Sequence, residues 1–371
     1  MEQKKQLFSL IGLCLLLGLV SCSNEDRSVF GDDFEIPELT DENTIRFTVD
    51  ATGDWKQLQI TASGGRMAVE WGDGRIQKIA NPENDPITYK YGNSRTYQVR
   101  IWAEEIDTCN VETLLIPIGN LCLGYLPKMK TLLLNSIINT SEIDFNVSCP
   151  NIEIISIGNC ADLELVNIDR CSKLKAIQLY GLPKMSSLKL GEHPDLEGVW
   201  CTENSRLQSL SLKELPSLNY VFCYDNPQLS ALEFDNETIL STLRIGGCAF
   251  QSLDFLSHLP LLTDLDCSSN QLTELDLSKQ SLLYTLNSSN NKQLASILIP
   301  KNNQLRGLEC YSCKLDGKAL NSVFTKLFEV PKDSPGYEKT YFISYYGNPG
   351  VENCNKGLLK GWYIVKDPTE K

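Results

Sequence analysis

Leu262-Thr263-Asp264-Leu265-Asp266-Cys267-Ser268-Ser269-Asn270 is one statement of a phrase this chain keeps repeating: apolar, two variable residues, apolar, one variable residue, apolar. Its starts fall at Ile152, Leu174, Leu196, Leu218, Leu240 and Leu262, a period of 22 residues, then at Leu283 and Leu305 after one shortened repeat of 21. A fixed period of this length marks a solenoid whose coils bury their apolar sides only against neighbouring coils. A second apolar phrase begins 11 residues after the first, at Leu163, Met185, Leu207, Leu229, Leu272 and Leu294. Both sides of each coil are therefore expected to be extended, without long helices on the back.

The period also predicts which variable side chains lie together. In an extended phrase the apolar residues point inward, so the residues between them face outward, on the concave side. One column reads Ser156, Gln178, Trp200, Phe222, Arg244, Asp266, Asn287 and Glu309. The next reads Gly158, Tyr180, Thr202, Tyr224, Gly246, Ser268, Ser289 and Tyr311. Trp200 and Phe222 become neighbours, flanked by Tyr180, Tyr220 and Tyr224, with Arg244 and Asp266 following. Clustered rings with an arginine beside them are typical of binding hot spots. Cross-strand packing that stiffens the sheet is the plainer reading, worth about 0.2–1 kcal/mol per pair.

The phrase and its following asparagine, as in Leu262 to Asn270, resemble the leucine-rich repeat over about 220 residues. That resemblance implies an asparagine ladder along the turns, altered where Cys160, Leu182 and Cys248 stand in its place. It also implies a protein partner on the concave face. Val111-x-x-Leu114-x-Ile116 and Met129-x-x-Leu132-x-Leu134 read as irregular first coils. Leu320, Val323, Phe324 and Leu327 have helical spacing and are expected to cover the last open coil. A turn over Pro331 to Gly336 and a final strand over Thr340 to Tyr345 should follow. Asn348-Pro349-Gly350 to Cys354 and Lys360-Gly361-Trp362 to Val365 resemble the C-terminal cap of exported Bacteroidetes proteins of this kind.

Ahead of the coils, Ile45–Val49, Leu58–Ala62, Met67–Trp71, Ile87–Tyr91 and Thr96–Trp102 show strand-like alternation between turn residues. Trp71-Gly72-Asp73-Gly74, with Tyr89-Lys90-Tyr91 and the run from Thr96 to Ile101, resembles the polycystic-kidney-disease (PKD) type of immunoglobulin-like β-sandwich. Gly72 and Gly74 permit a tight turn and Asp73 can bond its own backbone. Asp73 as a calcium ligand is the less favoured alternative.

The chain opens with Lys4 and Lys5 and an apolar run from Leu7 to Val20, shorter than the roughly 20 residues of a membrane span. The run ends in Leu19-Val20-Ser21-Cys22, which resembles the lipobox of bacterial lipoproteins and implies acylation of Cys22 and an outer-membrane anchor. Ser23-Asn24-Glu25-Asp26 and the acids up to Glu42 resemble the export signal of Bacteroidetes surface lipoproteins; read without that resemblance they are a solvated tether. The expected organisation is a mainly β chain: signal peptide 1–21, acidic tether 22–43, PKD-like sandwich 44–106, leucine-rich solenoid 107–316 and cap 317–371.

Composition narrows the function. A net charge of −13 argues against nucleic acid, whose phosphates need a basic footprint. Fourteen cysteines in an exported chain would ordinarily suggest disulfides. The phase of the repeat argues for buried thiols instead. Cys201, Cys223, Cys267 and Cys310 occupy the third apolar site, and Cys160, Cys248 and Cys313 the asparagine site. The two histidines, His193 and His258, read as loop residues without a nucleophile or metal pattern at useful spacing. The expectation is a non-catalytic binding or adhesion protein without cofactor or metal, with a protein or a glycan as ligand; a structural surface protein without soluble ligand is the third reading.

Overall fold

The computed structural model describes residues 28–36, 40–53, 56–83, 85–112, 116–235, 238–330 and 340–367. The signal peptide, Cys22, Leu114 and the turn after Pro331 lie outside them. The chain folds as two compact units: one up to Thr140 with Val147–Pro150, the other Ser141–Asn146 with Asn151–Lys371. Among the described residues no helix is long and apolar enough to cross a membrane.

Strand-period alternation builds the first unit. Thr44–Asp50 and Gln57–Ser63 bury every second side chain. One sheet runs in the order Ser28–Gly31, Arg75–Ile79, Met67–Glu70, Thr96–Ala103, Thr44–Asp50, Ile118–Leu123, Ile137–Ile138. The other contains Ile87–Lys90, Gln57–Ser63, Thr108–Glu112 and Thr131–Asn135 as neighbours. Trp71 stacks on Tyr89 at 4.3 Å between ring centroids, and Tyr91 stacks on Tyr97 at 4.2 Å. Gly72 and Gly74 take φ of +82° and +91°. Between them Asp73 accepts from Arg75 N–H and from the Tyr89 hydroxyl, so both carboxylate oxygens serve the turn.

Two expectations change here. Part of the acidic segment is built into the unit: Ser28–Gly31 pairs in parallel with Arg75–Ile79. Beyond that strand Phe34 and Ile36 pack on Ala68, Ile76 and Trp102, and Lys78 donates to the Phe34 carbonyl at 2.7 Å. The first coil also starts earlier. Leu132 pairs with Cys109 and Leu134 with Val111, so the phrase is Ile106-x-x-Cys109-x-Val111, five residues ahead of the one read from sequence. Ile106, Cys109 and Val111 are fully buried. A cysteine at the second apolar site hid the register.

The second unit follows the 22-residue period. Ile154–Gly158, Ala176–Tyr180, Gly198–Thr202, Tyr220–Phe222, Thr242–Arg244, Asp264–Asp266, Thr285–Asn287 and Gly307–Glu309 form a parallel sheet in chain order. Partners are separated by the repeat length, as in Ile177↔Val199↔Val221↔Leu243. Short parallel pairs line the back, among them Ser209–Leu212 with Ala231–Phe234 and Glu274–Asp276 with Ser296–Leu298. The helix Gly317–Phe324, capped by Asp316 accepting from Ala319 N–H at 2.7 Å, buries Leu320, Val323 and Phe324. It does not close the sheet. Phe342–Ser344 and then Tyr363–Ile364 add two further parallel strands, so the helix stands in the back row of its own coil and the strand expected last is the penultimate one.

Each coil leaves the sheet in the same way. The second residue after the third apolar site has positive φ in each coil from Ile152 to Tyr345: Asn159, Gly181, Glu203, Asp225, Gly247, Ser269, Asn290, Ser312 and Gly347, at +53° to +70°. The next residue carries the ladder. Asn226 Oδ1 accepts from Asn204 N–H at 2.8 Å, and its Nδ2 donates to the Cys201 and Cys223 carbonyls at 2.6 and 2.8 Å. Asn204, Asn270, Asn291 and Asn348 repeat the arrangement. Cys248 and Cys313 keep half of it. Their Sγ donates to the carbonyl of the preceding coil, Cys223 at 3.0 Å and Ser288 at 3.3 Å, where an asparagine would donate.

The thiols of Cys109, Cys201, Cys223, Cys248, Cys267 and Cys310 are buried and unbridged. Burial pushes Cys109, Cys201 and Cys248 up to about 12. Native protein at neutral pH is expected to react with iodoacetamide at half-buried Cys354 and to leave these six unmodified until unfolded. Rapid labelling of any of the six would contradict the packing.

His258 ends the short 3-10 helix Asp254–His258 rather than lying in a loop, whereas His193 lies between strands as expected. His193 is fully buried at the corner filled by Cys171, Leu215 and Leu259 in other coils, where the residue's carbonyl accepts from the N–H three residues on. Its Nδ1 lies 3.1 Å from the Cys171 carbonyl, while Nε2 has no partner. Burial holds the imidazole below its usual range. The unfolded ring titrates near ~6.5, so as pH falls below that value the unfolded chain gains the proton first and stability declines. His193→Leu is expected to make the melting midpoint fall less between about pH 7 and 5. Parallel curves for the two proteins would show that His193 does not drive the decline.

Candidate functional site

The outer face of the long sheet brings the expected columns into register. Gln178 pairs with Trp200, Trp200 with Phe222, Phe222 with Arg244, Arg244 with Asp266, and Asp266 with Asn287. Trp200 and Phe222 stack with ring centroids 5.4 Å apart and planes 3° from parallel. The Arg244 guanidinium covers the other face of Phe222, 5.6 Å from its centroid. Trp200, Phe222 and Arg244 thus form one stack along the array. Tyr220 and Tyr224 flank it, 40% and 39% exposed.

Glycines make room for the rings. A Cβ on Gly198 would lie 2.3 Å from the Trp200 indole, and one on Gly158 would lie 2.0 Å from Cζ of Tyr180. The two rings therefore rest directly on glycine backbone. Burial also pushes the Tyr180 phenol above its ordinary value. Gly198→Ala is expected to displace the indole and change the near-ultraviolet circular dichroism while leaving the far-ultraviolet spectrum as it is. An unchanged near-ultraviolet spectrum would mean the indole does not lie there.

Side-chain hydrogen bonds fix the polar half. Arg244 reaches Asp264, with Nε 3.1 Å from Oδ1, rather than Asp266. Asp264 also accepts from the Thr285 hydroxyl. Asp266 takes Ser268 N–H and Oγ–H on one oxygen, at 2.9 and 2.6 Å, and Asn287 Nδ2 on the other at 3.2 Å. Glu309 is half-buried, and burial followed by the nearby Asp266 charge raises its carboxyl. Gln178 accepts from Ser156 Oγ at 3.1 Å, whereas Asp225 sits at the positive-φ turn beyond the strand. Cys22 lies outside the described residues.

The sequence reading missed a third outward column. It contains Gly198, Tyr220, Thr242, Asp264, Thr285, Gly307 and Phe342 in register. The residue two places after each phrase start would have found it as far as Gly307. Beyond Gly307 the period breaks, so the stacked Tyr311–Tyr346 pair, 4.6 Å apart, carried no periodic signal. Arg306 lies over Tyr284 at 5.0 Å. Among the described residues no three His, Cys, Asp or Glu side chains gather as a metal site.

Parallel coils, a positive-φ turn and an asparagine ladder define a leucine-rich repeat solenoid. No protein-family model matches the chain and no curated protein matches it. Among solved structures it is similar to a chain of the Drosophila Toll–Spatzle complex: 19% identity, TM-score 0.39, 60% of this chain and 38% of that one. It is similar also to the leucine-rich repeat domain of APL1B, at 14% identity and TM-score 0.30, covering 57% and 77% of the two chains. An internalin of Listeria monocytogenes matches at 16% identity and TM-score 0.26, covering 68% and 82%. Likeness this remote carries no functional argument, and the functional reading rests on this chain's own columns.

Proposed function

We propose that this chain is a non-catalytic binding protein that engages a protein partner through the outer, concave face of its repeats. The observation that carries the reading is the Trp200–Phe222–Arg244 stack with Tyr220 and Tyr224 beside it. These rings lie on the outer face of the sheet, away from the apolar core, and the parallel register holds them in one place. Rigid, half-exposed aromatics lose little entropy when a partner covers them. The glycan reading is less favoured, because stacking a sugar needs an open ring face and both faces of Phe222 are covered.

The reading extends to the rest of the chain as expected from sequence. Residues 44–106 serve as a PKD-type sandwich, supported by the Trp71 to Gly74 turn and the tyrosines stacked around it. The solenoid begins with the Ile106 coil, and the cap, 317–371, carries the last two strands of its sheet. Leu19-Val20-Ser21-Cys22 supports removal of 1–21, lipidation of Cys22 and display at the outer membrane. Radiolabelled palmitate should enter the wild type and not Cys22→Ala; label retained by the variant would refute the anchor. The face is tested by placing a photo-crosslinking residue at Tyr224 or, on the back, at Glu233. Partner adducts formed at Tyr224 alone agree with the proposal, and equal yields from both positions contradict it.

A further inference from the structure

We infer that the occupant of this face is an extended polypeptide segment that sets a lysine or arginine about three to six residues from an apolar anchor on the Trp200–Phe222 stack. The cation would lie between Asp266 and Glu309. The inference rests on the protein-binding reading above and adds the chemistry of the partner.

Charge complementarity selects the occupant. The outward columns hold the acids Asp264, Asp266 and Glu309, and of the two arginines beside them each is already engaged. Arg244 is taken by Asp264 and by the face of Phe222, and Arg306 lies over Tyr284. Among the described residues no lysine or arginine comes within ion-pair distance of Asp266 or Glu309. The two acids stand on either side of Asn287 in register. Asp266 is held by Ser268 and Asn287, and Asn287 by the Ser289 N–H at 3.2 Å, so the acceptors are fixed before a partner arrives. Proximity of Asp266 and burial both work against the Glu309 carboxylate. An incoming ammonium or guanidinium offsets both effects.

Spacing sets the register of the partner. Neighbouring parallel strands are about 4.8 Å apart. Asp266 is therefore two strands, about 10 Å, from Phe222, and Glu309 is four strands, about 19 Å. An extended segment advances about 3.3 Å per residue, which makes these distances about three and six residues. A nucleic acid would bring phosphate onto these acids, and a neutral glycan would leave them unpaired.

The test is a random dodecapeptide library selected on the full chain, followed by affinities of the winners. Lysine or arginine three to six residues from an aromatic or aliphatic residue should be enriched. Replacing that cation with glutamate should weaken binding at least about tenfold, and added salt should weaken the parent peptide. Asp266→Asn with Glu309→Gln should remove both effects. If the charge variant binds as the wild type does while Trp200→Ala with Phe222→Ala abolishes binding, this inference fails and the face reading stands. If the ring variant binds unchanged, the face reading itself fails. Selection of peptides without a cation, no enrichment at all, or binding only of xylan or β-glucan oligosaccharides run alongside would each overturn the inference.

Discussion

Asn226→Ala is expected to lower the unfolding free energy by about 4 kcal/mol. Asn226 is fully buried and makes three ladder bonds, to Asn204 N–H and to the Cys201 and Cys223 carbonyls. Alanine leaves those groups without partners inside the coil, at about 1–3 kcal/mol for each buried group stranded. The positive-φ turn at Asp225 also loses the residue that ties it to the preceding coil. Because each coil is stabilised only by its neighbours, the loss propagates through the array. Asn226→Cys supplies an internal comparison. Cys248 already donates to the carbonyl an asparagine would use, so the cysteine variant should cost about half as much. Urea unfolding followed by far-ultraviolet circular dichroism measures both. Equal losses for alanine and cysteine would mean that the thiols do not take part in the ladder.

Trp200→Ala with Phe222→Ala is expected to weaken partner binding by about a hundredfold or more while the chain stays folded. Truncating central aromatic anchors costs about 2–4 kcal/mol in interfaces of this kind, and about 1.4 kcal/mol is a factor of ten. The change in fold is smaller. Both rings are half-exposed and rest on the outer face of the sheet, so the cost to stability is the stack itself, about 0.5–1.5 kcal/mol. Arg244 would keep its ion pair with Asp264, which leaves the polar half in place. A variant that unfolds would show instead that the stack is structural, the plainer reading of the same rings.

The repeat made most of this architecture legible. The phrase from Ile152 to Leu305 placed the strands and the three-apolar register, and with them the adjacency of Trp200 and Phe222. It worked because each coil solves the same packing problem at the same spacing. The reading failed where a residue departs from its usual type or the period breaks. Cys109 at an apolar site shifted the first coil by five residues, since a thiol was not counted as apolar there. His193 does lie between strands, but its polar type hides the full burial that its phase, matching Leu215, implies. The Arg244–Asp264 pair was missed because it joins different columns diagonally, and single-column reading cannot see a diagonal. Phe342 falls in the strand expected over Thr340 to Tyr345, but it and Tyr346 lie beyond a break in the period, so no spacing led to their partners. The acidic segment looked solvated from its charge, yet Phe34 and Ile36 had enough apolar surface to dock.

The central claim is that the ring stack on the outer face is where a partner protein binds. Isothermal titration of that partner, once crosslinking at Tyr224 has identified it, gives the most direct comparison of three chains. These are the wild type, Trp200→Ala with Phe222→Ala, and Lys213→Ala with Glu233→Ala, which removes an exposed ion pair of 3.0 Å on the back. The expected result is a loss of about a hundredfold or more for the ring variant and a change within about twofold for the back variant. Unchanged affinity in the ring variant, or an equal loss in both, would contradict it.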